Sequence, residues 1–80
     1  MARIERIIKR DGRIVEFDPE KITTAIWKAL KATGRDDREL AERLGLQVVE
    51  KLEERYAGEM PHVEEIQDVV EETLVENGLY

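Results

Sequence analysis

Four cations lie close together near the start of this chain. Lys9, Arg10 and Arg13 surround an Asp11-Gly12 pair, and Lys21 follows Asp18 by three residues. Lysine and arginine offer charge-assisted hydrogen bonds to phosphate or carboxylate oxygens, and a helix starting beside them adds outward-pointing backbone N–H groups. Asp18-Pro19 supplies such a start, because aspartate caps free N–H groups and proline at the first helical position gives up no needed donor. The chemistry these residues point to is the holding of an anion. A group of cations also serves simply as a solvated face, and pattern alone leaves both readings open.

Covalent and acid–base chemistry has little to build on. The chain contains no cysteine and no serine, which excludes disulfides, thiolate metal ligands and a serine nucleophile. The single histidine, His62, has no evident nucleophile to serve, and with Glu65 three residues on it resembles a weak helix cap. Carboxylates such as Glu50, Glu53 and Glu54 have the spacing of a solvated helix surface. Neither a P-loop nor G-x-G-x-x-G occurs. The expectation is a binding domain with no catalytic residue and no protein-held metal, not an enzyme.

Length and charge narrow the ligand. Eighty residues, 41% of them hydrophobic, make one domain spanning 1–80 with a single core. The net charge of −6 is unevenly spread: residues 1–35 carry nine Lys/Arg against five Asp/Glu, or +4, and residues 36–80 carry four against fourteen, or −10. A nucleic-acid surface needs cations over much of a domain, so direct nucleic-acid binding is not expected. A small anion suits the confined positive end better. No apolar run approaches a membrane span, and the expected location is cytoplasmic.

The elements that must position these residues read as ββααα. Arg3–Phe17 has the pattern of a β-hairpin around Asp11-Gly12, a two-residue turn in which both positions take positive φ. That turn sets Arg10 opposite Arg13, Ile8 opposite Val15 and Arg6 opposite Phe17, with Glu5, Ile7, Lys9, Ile14 and Glu16 on the other face. A first helix follows Asp18, with Ile22, Ala25, Ile26, Ala29 and Leu30 at helical spacing and Gly34 as its stop. Trp27 falls off that stripe and covers either a neighbouring element or a partner. The second helix runs from near Asp37 to Tyr56, with Gly45 inside it permitting a close crossing or marking a bend. The third spans Val63–Glu76, its apolar side at Ile66, Val69, Val70, Thr73 and Leu74, with Gly78 as terminator.

The stretch IKRDGRIVEFDPEKITTAIWKAL resembles the opening of the ATP-cone domain, the allosteric nucleotide-binding module of many ribonucleotide reductases. VEEIQDVVEETLVENGLY is similar to that family's third helix with its closing Asn-Gly-x-Tyr, and the intervening segment has the length and character of its second helix. The resemblance implies an α+β fold, an N-terminal β-hairpin lid over a small helical bundle, with ATP or dATP between them and Mg2+ accompanying the triphosphate. Lys9, Arg10 and Lys21 would meet the phosphates, Ile7 and Ile22 would line the adenine pocket, Glu16 and Asp18 would lie near base or ribose, and Gln67 would approach from the far side. The implied partner is the catalytic domain or subunit of a reductase, with ATP leaving it active and dATP shutting it down through altered assembly.

Two departures stand out. Val63 occupies the place where many members have a capping Ser or Thr, which removes a hydroxyl contact to the phosphates. The family continues into a further helix beyond the position of Tyr80, so the chain reads as an excised or engineered domain that either binds its nucleotide more weakly or has its bundle completed by a second copy as a homo-oligomer. Other hosts and roles remain. One is the ATP-cone of a transcriptional repressor of reductase genes, whose zinc ribbon needs cysteines this chain lacks. Another is a ligand-free interaction module docking an acidic partner.

Overall fold

The computed structural model describes residues 4–79; Arg3, at the start of the expected hairpin, and Tyr80, the last residue of the terminal motif, lie outside the described residues. The order is β1 (Arg6–Ile8), β2 (Ile14–Glu16), α1 (Pro19–Ala32), α2 (Arg38–Arg55) and α3 (Val63–Glu76). The fold is α+β, a two-stranded antiparallel hairpin followed by three helices.

The hairpin is shifted by one residue from the register the two-residue turn predicts. Arg6 pairs with Glu16, Ile7 with Val15 and Ile8 with Ile14. The connection is a longer loop: Lys9 N–H donates to Arg13 O at 2.7 Å and Gly12 N–H to Lys9 O at 2.9 Å. Gly12 takes φ 90° while Asp11 keeps a negative φ, which is the three-residue loop ending in a left-handed glycine. Asp11 instead uses its carboxylate, accepting from the Arg13 backbone N–H at 3.1 Å and from Arg13 Nε at 2.7 Å. That side-chain turn holds the loop without forcing a β-substituted residue into positive φ.

The new register sorts the two faces. Ile7 and Val15 share one face with Phe17, and Ile7 and Phe17 pack against the core. Arg6, Ile14 and Glu16 occupy the other and are exposed. A half-buried antiparallel pair alternates in this way, and a slip of one residue would turn Phe17 outward.

Each helix has a legible start. Asp18 Oδ1 accepts from Glu20 N–H at 3.1 Å, and Asp37 Oδ1 accepts from Leu40 N–H at 3.0 Å. At α3 the Glu65 carboxylate reaches back to His62 N–H at 2.9 Å, the return half of a capping box. Helices α1 and α3 both pack on α2, whose Ala41, Leu44, Val48 and Leu52 are almost fully buried. Ile4, Ile22, Ile26, Leu30, Ile66 and Val69 complete the core. Ala25 and Ala29, expected on the buried stripe of α1, are exposed; three large residues one turn apart already fill that side of α1. Trp27 covers the α1–α2 connection, its Nε1–H donating to Asp36 Oδ1 at 2.8 Å with Lys31 Nζ 4.1 Å from the ring centre.

Candidate functional site

The cations of the hairpin are brought to the first turn of α3 by a backbone contact. Ile8 stands opposite Ile14 at a position whose N–H points away from β2, and it donates to Pro61 O at 3.0 Å. A parallel bridge joins Ile8 to His62. Lys9 and Arg10 therefore lie beside the start of α3. Lys9 is half-buried, on the same face as Ile7, while Arg10 Nε donates to Glu64 Oε1 at 3.2 Å.

Asp18 and Lys21 sit at the other end of the hairpin. Asp18 follows directly on the base of the ladder and is engaged as the cap of α1. Lys21 is exposed one turn into α1 and shares an open depression of about 490 Å³ with Asp18, Glu20, Thr24 and Lys28. Ile22 belongs to the core and is 7% exposed, so its side chain faces the bundle interior. Gln67 is exposed on α3. Glu16 lies across from Arg6 on the outward face, away from Ile7 and Lys9. Val15 takes the place beside Ile7 that the expected register had given to other residues, and only the true loop length would have revealed it.

Electrostatics divides these cations into committed and available ones. Arg10 is paired with Glu64, and Arg13 is held by Asp11. Among the described residues neither Lys9 nor Lys21 forms an ion pair. Of the three candidate phosphate ligands, Lys9 and Lys21 are thus the two that no described carboxylate holds. No described cluster of three or more His, Cys, Asp or Glu is arranged to hold a metal ion. A divalent cation brought by a polyphosphate would rest on phosphate oxygens, as Mg2+ commonly does.

A second group of charges lies between α2 and α3, where sequence reasoning assigned nothing. Arg55 Nη1 donates to Glu72 Oε1 at 3.1 Å, Lys51 Nζ lies 3.4 Å from Glu72 Oε2, and Lys51 also pairs with Glu76. Lys51 Nζ donates to Thr73 Oγ1 at 3.1 Å, and that fully buried hydroxyl donates to Val69 O at 2.8 Å. The Arg55 hydrogen bond holds the Glu72 carboxyl below the usual glutamate range, with Lys51 adding to the effect. Burial pushes the Tyr56 hydroxyl up, reinforced by the Glu65 carboxylate. These contacts bind helices together and leave the hairpin cations untouched.

The comparisons with known proteins agree on one group. The ATP cone domain family model matches residues 5–80. A vitamin B12-dependent ribonucleoside-diphosphate reductase of Thermoplasma acidophilum is 44% identical over 72 residues, covering 90% of this chain and 9% of the reductase. A ribonucleoside-diphosphate reductase subunit alpha of Chlamydia muridarum is 36% identical over 83 residues, covering 92% of this chain and 8% of its own length. An anaerobic ribonucleoside-triphosphate reductase of Haemophilus influenzae is 35% identical over 69 residues, covering 86% of this chain and 10% of its own. The chain thus spans about a tenth of the length of the reductases it matches.

Proposed function

Because this chain belongs to the ATP cone domain family, we propose that it is a regulatory module that binds an adenine nucleotide, ATP or dATP, and controls the activity of a ribonucleotide reductase. The observation that carries the reading is the anchoring of β1 to Pro61, which sets Lys9 and Arg10 beside the first turn of α3. Cations next to a helix start, whose N–H groups and dipole favour anions, form a phosphate grip.

Lys9, Arg10 and Lys21 are the proposed phosphate ligands. Ile7 and Ile22 are proposed to border the base, Asp18 and Glu16 to lie towards base or ribose, and Gln67 to close the α3 side. The hairpin ladder from Lys9–Arg13 to Glu5–Phe17 covers four residue steps, about 13 Å at the rise of a strand. Lys9 and Asp18 therefore stand at opposite ends of the hairpin. Lys21, in the first turn of α1, lies at the Asp18 end, so a ligand that meets both lysines must be elongated, as a nucleoside triphosphate is and a lone phosphate is not. Mg2+ would accompany the triphosphate and neutralise charge that the three side chains leave over. Ile22 is the residue that must give way, since its present place is in the core.

In this reading the domain does no chemistry of its own; nucleotide occupancy is passed to the reductase through altered assembly. Calorimetry of the chain with ATP and dATP tests it. Binding is expected tighter than about 1 mM, roughly −4 kcal/mol. Lys9→Ala and Lys21→Ala should each weaken it by about 1.5–3 kcal/mol, the range for hydrogen bonds to charged groups. Failure of both nucleotides to bind at millimolar concentration would overturn the reading, and unchanged affinity in both variants would move the site elsewhere.

A further inference from the structure

Among the phosphate ligands proposed above, Arg10 differs from Lys9 and Lys21 in that an anion of the protein already holds it. Its Nε donates to Glu64 Oε1 at 3.2 Å, across 54 residues of sequence. The neighbouring acid of α3, Glu65, is turned back to the His62 N–H, so its charge is engaged at the helix start. Glu64 is the acid of that turn that faces the hairpin loop.

We propose that Glu64 is an affinity-determining residue of the nucleotide site, an internal anion that competes with the polyphosphate for Arg10. The inference rests on the nucleotide-binding reading. A phosphate that takes Arg10 must displace the Glu64 carboxylate or share the guanidinium with it, and in either case two like charges come close. Both side chains are well exposed, 76% for Arg10 and 51% for Glu64. Pairs of this kind are weak and screened by salt, so a multiply charged ligand can break the pair. The hairpin stays in place when it breaks, because the Ile8–Pro61 backbone bond anchors β1 independently of either side chain. Glu64 therefore sets how much anionic charge a ligand needs to win Arg10, without deciding whether the hairpin is docked.

The test is calorimetry with ATP and with inorganic triphosphate on the wild type, Glu64→Gln, Arg10→Ala and the double variant. Glu64→Gln should tighten both ligands by about 2- to 5-fold at low salt, the size expected from releasing an exposed ion pair. In the Arg10→Ala background the same substitution should gain less than about 1.5-fold, because the competed group is gone. Weaker or unchanged binding in Glu64→Gln overturns the proposal, as does an equal gain in both backgrounds. A wild type that binds neither ligand removes the nucleotide reading and this inference together. A wild type that binds, with no gain in Glu64→Gln, removes this inference alone.

Discussion

Single residues show most clearly where type and place are matched. Gly45 lies in the middle of α2, and a Cβ built there would stand 2.7 Å from Thr23 Oγ1 on α1, with the Thr23 backbone in ordinary contact at 3.7 Å. The glycine is therefore a helix-crossing residue and no bend need be invoked, although glycine costs about 1 kcal/mol against alanine in a helix interior. Gly45→Ala should destabilise the chain by about 1–2 kcal/mol, overpacking outweighing the gain in propensity. Adding Thr23→Ala removes the obstructing oxygen, and the double variant should recover most of the loss. Urea unfolding midpoints check both, and a Gly45→Ala chain more stable than wild type would show that Thr23 simply rotates aside. Sequence spacing left Gly45 open between crossing and bend, since its partner sits on another helix. Glu64 was hidden for a similar reason: nothing local marks an acid in a first turn as facing a loop 54 residues away.

At the scale of elements, the three helices were legible because each carries its own punctuation. Asp18-Pro19, Asp37 and Gly34 lie within a residue or two of observed ends, and Leu44, Val48 and Leu52, four residues apart in the sequence, are buried on one side of α2. The hairpin was legible as a hairpin but not in register. Asp-Gly permits a two-residue turn, yet here the Asp11 carboxylate binds Arg13 and only Gly12 turns left-handed. One extra loop residue exchanged the partners of every strand residue and sent Glu16 outward. The charged clasp between α2 and α3 was not legible, because i,i+4 patterns say nothing of which acids meet another helix. Its pH dependence has a definite sign. Glu72 has a folded pKa below the usual 4.5, so its ionised form is favoured in the folded state. The clasp's contribution is fully present above that ordinary value and is lost as pH falls through the lower folded one. Thermal unfolding from pH 6 to pH 2 should therefore show a steeper acid-side loss in the wild type than in Glu72→Gln; matching slopes would mean that Glu72 is not held by Arg55 and Lys51.

For the whole molecule, the division of charge is the feature that sequence and fold share. Residues 1–35 carry nine of the thirteen Lys/Arg, whereas α2 and α3 carry most of the acids, and the chain is −6 overall. Copies of the chain repel on net charge, but a cationic end on one copy is complementary to an acidic face on another. An adenine nucleotide bound between hairpin and bundle would neutralise the cationic end and so alter which faces attract. ATP and dATP carry the same charge, so a difference in assembly between them must arise from contacts near the ribose, which the proposed site puts towards Asp18 or Glu16, and not from the charge on the phosphates. Size-exclusion chromatography in ATP and in dATP separates these contributions. If the proposed regulation resides in this chain, dATP should give a larger species than ATP at equal saturation, while raising the salt should diminish assembly with either. Equal sizes in both nucleotides, with binding intact, would place the assembly surface in the remainder of a longer reductase, of which such a chain spans about a tenth.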